Sequence, residues 1–204
     1  MKLFFSPGAC SLAPHIVLRE AGGDFSLEKV DLAQHVTASG ADYYRINPKG
    51  QVPFLQLDDG SFLSEGPVIA QYIADQAAPN SPLLPAVGSM ARYRVVEWQS
   101  YITSELHKGF SPLFNPAFDA AAKATHAGLL RKKFGWVDSQ LTATGYLTGE
   151  DFTVADAYLF TVAGWASYVA MDLSDLPGLQ AFLARVAARP AVQAALKAEG
   201  LVPA

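Results

Sequence analysis

Cysteine is the scarcest residue in this sequence, with Cys10 alone among 204 residues. A single cysteine excludes an internal disulfide and any metal site built on several thiolates. We therefore predict a protein that holds no metal and that works in a reducing compartment. Cys10 is either an inert part of the core or a reactive thiol, and its rarity alone leaves both interpretations open.

Charge and long apolar runs are also scarce. Charged residues make up 17% of the chain and the formal net charge is -4, so we expect no nucleic-acid partner. The longest uncharged apolar segment covers residues 157–171. It is shorter than the roughly 20 residues that a membrane-spanning helix needs. Pro7 and Gly8 interrupt the apolar N-terminus too early for a secretory signal, so we expect a cytoplasmic protein without a membrane partner.

The first part of the chain alternates between strand-like and helix-like segments. Asp58-Asp59-Gly60 supplies the positive φ of a tight hairpin between two of the strands. We predict the order β-α-β-α-β-β-α and a small α/β domain with a mixed four-stranded sheet. The predicted elements lie at residues 2–5, 11–21, 25–30, 42–46, 52–57, 61–63 and 65–77.

The remainder of the chain is predicted to be all-helical. Residues 80–87 are rich in proline and predict a linker, which gives domains at 1–79 and 88–204. Helical periodicity dominates the second domain, with a predicted break at Pro112 and Pro116. Thr153-Val154-Ala155-Asp156 fits the capping pattern at the start of a helix.

Cys10 stands at the junction between the first predicted strand and the first predicted helix. A helix that begins at or just after it directs unpaired N–H groups and a positive dipole end at the sulfur, which favours the thiolate. Thiol oxidoreductases of the thioredoxin type place Cys-x-x-Cys at this junction, but here Ala13 stands at the second position. An internal disulfide cycle is therefore excluded, and a partner thiol must come from solution.

Two further segments carry backbone groups that suit a small peptide ligand. Pro53 interrupts a predicted strand, and a bend there leaves the N–H and C=O of Val52 able to bind an extended peptide. Glu65 and Gly66 open the next helix, where a carboxylate and free N–H groups together suit an amino-acid-like ligand. An ordinary edge proline and a simple helix cap explain the same residues.

A polar stripe follows one face of a predicted helix in the second domain. Ser100, Ser104, His107 and Ser111 recur at intervals of four, three and four residues, which is helical spacing. A solvated helix face or a close helix contact produces the same pattern. The stripe alone therefore does not define a binding site.

Five segments together resemble the bacterial beta-class glutathione transferases over essentially the whole chain. The resemblance implies a thioredoxin-like N-terminal domain, an all-helical C-terminal domain, and a cytosolic homodimer that uses glutathione as co-substrate. It implies conjugation of glutathione to small hydrophobic electrophiles. The alternatives are a glutathione-dependent thiol reductase or peroxidase acting through a Cys10 mixed disulfide, and a non-catalytic binding protein. The segments are SPGACSLAPHIVLRE, NPKGQVPFLQLDDG, SEGPVIAQYIAD, ELHKGFSPLF and FTVADAYLF.

The same resemblance implies roles for individual residues. Cys10 contacts the glutathione sulfur, and Ser11 and His107 are its candidate catalytic helpers. A cis-Pro53 is implied as well. The helix face that completes the site in such enzymes, partly from the partner subunit, carries Ser100, Ser104, Glu105, His107 and Lys108. The implied glutathione-binding residues are Ala9, Cys10, His35, Gln51, Val52, Pro53, Glu65, Gly66, Ser100, Ser104, Glu105, His107 and Lys108.

Within that set, Val52 is implied to pair with the cysteinyl backbone of glutathione, while Glu65 and Gly66 hold its γ-glutamyl end. Two positions depart from the family pattern. His35 stands where close relatives often carry lysine, which weakens the positive charge available to the glycine carboxylate at neutral pH. Ser100 stands where relatives often carry asparagine, so its side chain has a shorter reach toward the ligand.

Overall fold

A computed structural model of the chain describes residues 1–79, 81–141 and 145–203. The chain divides into two compact units, Met1–Leu84 with Ala188–Ala204, and Pro85–Ala187. The predicted domain limits cut the chain differently, because the last helix belongs to the first unit. Those limits stay a prediction, and residue 80, the first of the predicted linker, lies outside the described residues, as do 142–144 and 204 of the predicted helical domain.

The first unit is built on a five-stranded mixed sheet with the order β3-β2-β1-β4-β5. The central strand β1 pairs in parallel with β2 and antiparallel with β4, and the edge strands β3 and β5 add antiparallel pairs. Helices α1 and α2 pack against each other, and α8 packs on α1. The elements are β1 (Lys2–Phe5), α1 (Leu12–Ala21), β2 (Ser26–Asp31), β3 (Val36–Thr37), β4 (Phe54–Gln56), β5 (Phe62–Ser64), α2 (Gly66–Ala77) and α8 (Pro190–Ala198).

This architecture confirms the predicted α/β class and corrects two details. The sheet has a fifth strand, β3, which covers only two residues and so leaves no alternating pattern in the sequence. The helix predicted at 42–46 is a single 3₁₀ turn over Tyr43–Arg45. Asp42 caps that turn by accepting a hydrogen bond from the Tyr44 N–H at 3.0 Å, and packing of the fully buried Tyr43 in the apolar core holds the segment as one turn.

A small apolar core lies beneath the loops that follow β1 and precede β4. Its members are buried aromatic and β-branched side chains, with Ala9 and Ile46 packed on the outside. These side chains give the loop around Cys10 a rigid floor. The core residues are Phe4, Val30, Tyr43, Val52 and Phe54.

A buried polar network joins the end of α8 to the loop before α1. Glu199 accepts hydrogen bonds from the Gly8 N–H at 2.9 Å and from Nδ1 of His15 at 2.7 Å. Arg19 donates to Nε2 of His15 at 2.9 Å. Because arginine can only donate, Nε2 is the acceptor and Nδ1 carries the proton that goes to Glu199. The network therefore anchors the Cys10 loop through Gly8.

The second unit contains helices throughout, as predicted. Its first helix is continuous from Met90 to Phe114 and contains a π-helical segment, Ile102–His107. In the described part of the chain no helix has both the length and the apolar character needed to cross a membrane. The helices are α3 (Met90–Tyr101), α4 (Lys108–Phe114), α5 (Ala120–Leu141), α6 (Val154–Gly164) and α7 (Pro177–Ala187), with a 3₁₀ turn at Trp165–Val169.

The predicted break is confirmed at Pro116, which lies in the non-helical segment between α4 and α5, but it is wrong at Pro112. Helix α4 runs through Pro112 and ends at Phe114, two residues later. A proline removes one hydrogen bond from the helical ladder, and close to a helix end little of the ladder remains to be disrupted. The predicted capping pattern at α6 is confirmed, because Asp156 accepts from both the N–H of Thr153 at 2.8 Å and its hydroxyl at 2.7 Å.

Candidate active site

The loop between β1 and α1 carries Cys10, and two hydrogen bonds between Ser6 and Ser11 hold the two ends of this loop together. The Ser11 hydroxyl accepts from the Ser6 N–H at 3.1 Å and donates to the Ser6 carbonyl at 3.2 Å. Ser11 has no exposed surface. The Ser11 hydroxyl therefore uses its proton and one lone pair to hold the loop together, and its predicted part in catalysis stays a prediction.

The thiol of Cys10 donates a hydrogen bond to the carbonyl oxygen of Val52 at 3.1 Å. Although Cys10 as a whole residue is half-buried, burial of the thiol raises its pKa to about 11. The N–H groups of Cys10 and Ser11 lower the pKa, the nearby Glu65 raises it, and burial outweighs them all. The expectation that the helix start favours a thiolate is thus wrong for the ligand-free chain, because desolvation exceeds the stabilisation by backbone N–H groups.

The segment before β4 forms the other wall of this site. The peptide bond between Val52 and Pro53 is cis, the geometry that the family resemblance implies. The carbonyl of Gln51 accepts hydrogen bonds from the Tyr43 hydroxyl at 2.8 Å and from the side-chain amide of Asn47 at 2.7 Å. These two bonds fix the chain path that brings the Val52 carbonyl to Cys10.

Glu65 and Gly66 stand at the start of α2. Glu65 has φ of 71°, an uncommon value for a residue with a side chain. Its exposed carboxylate forms an ion pair with Nζ of Lys49 at 3.1 Å. A methyl group on Gly66 would lie 3.5 Å from the ring of Pro53, so the helix start lies close against the Val52–Pro53 segment.

His35 adopts a left-handed backbone conformation, which is uncommon for a residue with a side chain. Its φ is 54°, and its ring packs on Tyr44 with 4.2 Å between the centroids. Nε2 of His35 and the Tyr44 hydroxyl are 3.0 Å apart. The Nδ1 atom is buried and has no hydrogen-bond partner among the residues that the structure describes. The His35 ring is therefore already hydrogen-bonded to a tyrosine.

The three serines of the predicted stripe, Ser100, Ser104 and Ser111, are exposed, whereas His107 between them is half-buried. Ser104 is exposed and its hydroxyl bonds to the Ser100 carbonyl at 3.2 Å. Glu105 is paired with Lys133 at 2.7 Å, and this contact lowers the pKa of Glu105. His107 is half-buried and bonded to Tyr158, while Lys108 is exposed. The π-helical segment adds a residue to the turn, so the α-helical spacing does not hold along it.

The structure thus brings together the predicted site residues of the first unit around Cys10. Three residues next to predicted ones went unnoticed in the sequence. Lys49 pairs with Glu65, and its only signal is its place just before Gly50 and Gln51. Tyr44 and Tyr158 contact the two candidate histidines, and neither contact follows from spacing. The residues that lie together are Ala9, Cys10, Ser11, Gln51, Val52, Pro53, Glu65 and Gly66.

Comparison with known proteins identifies the family. The family description "Glutathione S-transferase, N-terminal domain" matches residues 8–76, and "Glutathione S-transferase, C-terminal domain" matches residues 101–190. The chain is 52% identical over 201 residues to the glutathione S-transferase GstA of Escherichia coli O157:H7, covering 98% of this chain and 100% of that protein. The chain belongs to the glutathione S-transferase family.

Solved structures of glutathione S-transferases agree with the fold. A sphingomonad enzyme complexed with glutathione is 50% identical and superposes with a TM-score of 0.94, covering 99% of this chain and 100% of that one. A bacterial beta-class enzyme of Sphingomonas chungbukensis is 48% identical with the same TM-score of 0.94 and the same coverage, 99% and 100%. The site around Cys10 therefore lies in the family's N-terminal domain. In residues 1–79, 81–141 and 145–203, no three metal-binding side chains cluster together.

Proposed function

We propose that this chain conjugates the thiol of glutathione to small hydrophobic electrophiles, with Cys10 at the glutathione sulfur. One observation carries the proposal: the Cys10 thiol lies 3.1 Å from the Val52 carbonyl and has a pKa of about 11. At neutral pH it is a neutral S–H group, which donates a hydrogen bond and does not act as a nucleophile. Family membership and the glutathione complex of a relative support glutathione as the co-substrate.

The chemistry follows from a neutral Cys10. The thiol of bound glutathione gives its proton to solvent, and Cys10 turns its S–H from the Val52 carbonyl to the resulting thiolate. The thiolate then attacks the electrophile, a carbon–sulfur bond forms, and the leaving group departs with its electron pair. Cys10 keeps its proton and forms no covalent bond, because its role is electrostatic stabilisation of the attacking sulfur.

The surrounding groups suit the backbone and the ends of glutathione. Val52 offers its backbone to the cysteinyl residue, as an added strand would. The Glu65 carboxylate suits the γ-glutamyl ammonium, and the N–H groups of Gly66 and Val68 at the start of α2 suit its carboxylate, since Pro67 between them has no N–H. His35 together with Tyr44 is the candidate partner of the glycine carboxylate, in place of the lysine of close relatives.

We further propose that the protein is a cytoplasmic homodimer that serves detoxification, as the family resemblance implies. Five residues on the first helix of the second unit keep their implied role in glutathione binding as a prediction, partly from the partner subunit. These residues are Ser100, Ser104, Glu105, His107 and Lys108. Small hydrophobic electrophiles are the expected second substrates.

A thiol reductase or peroxidase is disfavoured by the same observation. That chemistry requires a Cys10 thiolate that attacks a disulfide or peroxide, whereas burial raises the pKa of Cys10 to about 11. A non-catalytic binding protein is disfavoured because groups expected to bind glutathione, the Val52 backbone and the Glu65–Gly66 helix start, lie close to Cys10.

The test is conjugation of glutathione to chlorodinitrobenzene by the purified chain, followed by intact mass spectrometry after incubation with oxidised glutathione. We expect conjugation, and a protein mass without an added glutathione. A stable glutathione adduct on Cys10 with no conjugation would favour the reductase. Binding to immobilised glutathione without either reaction would favour the binding protein.

A further inference from the structure

His107 occupies a special place in the helical unit. It is the last residue of the π-helical segment Ile102–His107, in which the Lys108 N–H bonds to the carbonyl of Thr103, five residues earlier. Wider turns of this kind occur often at functional sites, because they redirect side chains that a regular helix would align. Here the side chain of His107 meets α6, while that of Ser104 stays exposed.

Two aromatic side chains define the position of the His107 ring. Nδ1 of His107 lies 2.6 Å from the hydroxyl of Tyr158, a short hydrogen bond to a phenol that is only 4% exposed. The ring also meets the indole of Trp165 edge-on, with centroids 4.7 Å apart and an interplanar angle of 77°. The hydrogen bond to Tyr158 and the packing on Trp165 therefore both contribute to the orientation of the His107 ring.

The bond to Tyr158 also bears on the tautomer of His107. A phenol oxygen shares its lone pair with the ring, so a tyrosine hydroxyl is a better donor than acceptor. A neutral imidazole that accepts at Nδ1 must carry its proton on Nε2. The nitrogen remote from Tyr158 is then an N–H donor.

We propose that Tyr158 is a positioning residue for His107: its hydroxyl donates to Nδ1 and holds the imidazole in the Nε2–H tautomer. The consequence for catalysis rests on the proposed function. His107 then serves bound glutathione as a hydrogen-bond donor to an anionic group, a thiolate or a carboxylate, and not as a general base. This assigns Tyr158 a task that the sequence did not reveal.

The first measurement needs no activity. Long-range ¹H–¹⁵N spectra at neutral pH distinguish the two imidazole tautomers, and the chain has only four histidines. The loss of one signal set in His107→Ala identifies His107. We expect wild type to show one tautomer with the proton on Nε2, and Tyr158→Phe to show averaging between tautomers. Tyr146→Phe is the matched control, because Tyr146 is also buried and sits in the same unit.

The second measurement is kinetic. Losing one hydrogen bond that orients His107 is expected to lower kcat/KM for glutathione by roughly 5- to 10-fold in Tyr158→Phe, with Tyr146→Phe close to wild type. In a His107→Ala background, Tyr158→Phe should have a much smaller effect on kcat/KM than in wild type, because its proposed positioning role depends on His107.

The outcomes separate the inference from the proposed function. An Nδ1–H tautomer in wild type, or a spectrum that Tyr158→Phe leaves unchanged, overturns the inference whatever the activity. Equal kcat/KM in wild type and Tyr158→Phe overturns the positioning role. If wild type conjugates nothing while the spectra behave as expected, the proposed function fails and the assignment of the tautomer stands.

Discussion

The sulfur of Cys10 lies 3.1 Å from the carbonyl oxygen of Val52 and donates its proton to it. A carbonyl can only accept, so this contact requires the thiol form of Cys10. Burial favours the same form and raises the pKa to about 11. A glutathione thiolate that arrives beside Val52 would be a stronger, charged acceptor for the same proton.

Substitution of Cys10 separates hydrogen-bond donation from nucleophilic attack. Cys10→Ser keeps a donor at this position and should retain conjugation within about threefold, whereas Cys10→Ala should lower kcat by roughly 5- to 10-fold, the size of one hydrogen bond. The measurement is steady-state conjugation of glutathione to chlorodinitrobenzene. A loss of several orders of magnitude in both variants would instead indicate covalent catalysis by the thiolate.

Lys49 is expected to compete with the ligand for Glu65. Nζ of Lys49 lies 3.1 Å from the Glu65 carboxylate, where we place the ammonium group of glutathione. Lys49→Met should therefore tighten glutathione binding by up to about fivefold, since an exposed ion pair is weak. Calorimetric titration measures it, and Lys132→Met controls for the change in net charge. Weaker binding in Lys49→Met alone would show that Lys49 itself contacts the ligand.

Glu199 should be important for stability because it has two buried donors to satisfy. Glu199→Ala leaves the Gly8 N–H and the His15 Nδ1–H unpaired and should lower the free energy of unfolding by about 3 kcal/mol. Glu199→Gln keeps one acceptor oxygen and should fall between wild type and Glu199→Ala. Urea unfolding gives the values. Glu97→Ala, which removes an exposed ion pair with Arg94, is the control and should change stability far less. Equal losses in Glu97→Ala and Glu199→Ala would contradict the account.

The carboxyl group of Asp156 should make stability depend on pH in a specific window. Its burial raises its pKa to about 6 from an ordinary value of 3.8. Between about pH 4 and 6 the folded state holds this proton and the unfolded state releases it, so rising pH lowers the free energy of unfolding. The full effect is about 3 kcal/mol.

Asp156→Asn removes this titration. The stability of wild type relative to Asp156→Asn, measured by urea unfolding, should be greater at pH 4 than at pH 7. A difference that is constant over that range would show that the hydrogen bonds from Thr153 and Leu147 keep the carboxylate ionised throughout.

Much of the fold could be predicted from the sequence, because the patterns that indicate it lie within short segments of the chain. The Asp-Gly hairpin, the capping pattern at Thr153 and the helical periodicity each depend on residues within one turn or one strand pair. The edge strand Val36–Thr37 was missed because it exists only through its pairing with β2. The helix predicted at 42–46 failed for a similar reason, since tertiary packing holds it as one turn.

The sequence predicted which residues form the site around Cys10, but it did not predict the pKa of the Cys10 thiol. Segment order pointed to Cys10, Val52 and Glu65, and the structure brings them together. The helix start near Cys10 predicted a low pKa, but the dipole acts locally while desolvation depends on every group packed around the sulfur. The π-helical segment before Lys108 likewise has no signature in the spacing of the serines. The pKa of Cys10 and the formation of the π-helical segment both depend on contacts between residues that are distant in the sequence.

The most direct test of the central claim is the titration of Cys10 itself. Because Cys10 is the single cysteine, a chain labelled with ¹³C at the cysteine β-carbon gives one resonance whose shift follows ionisation of the thiol. We predict a neutral thiol through neutral pH and a midpoint near 11, as burial dictates. A midpoint below about 7.5, within the range of reactive cysteines, would contradict the account and make Cys10 a nucleophile.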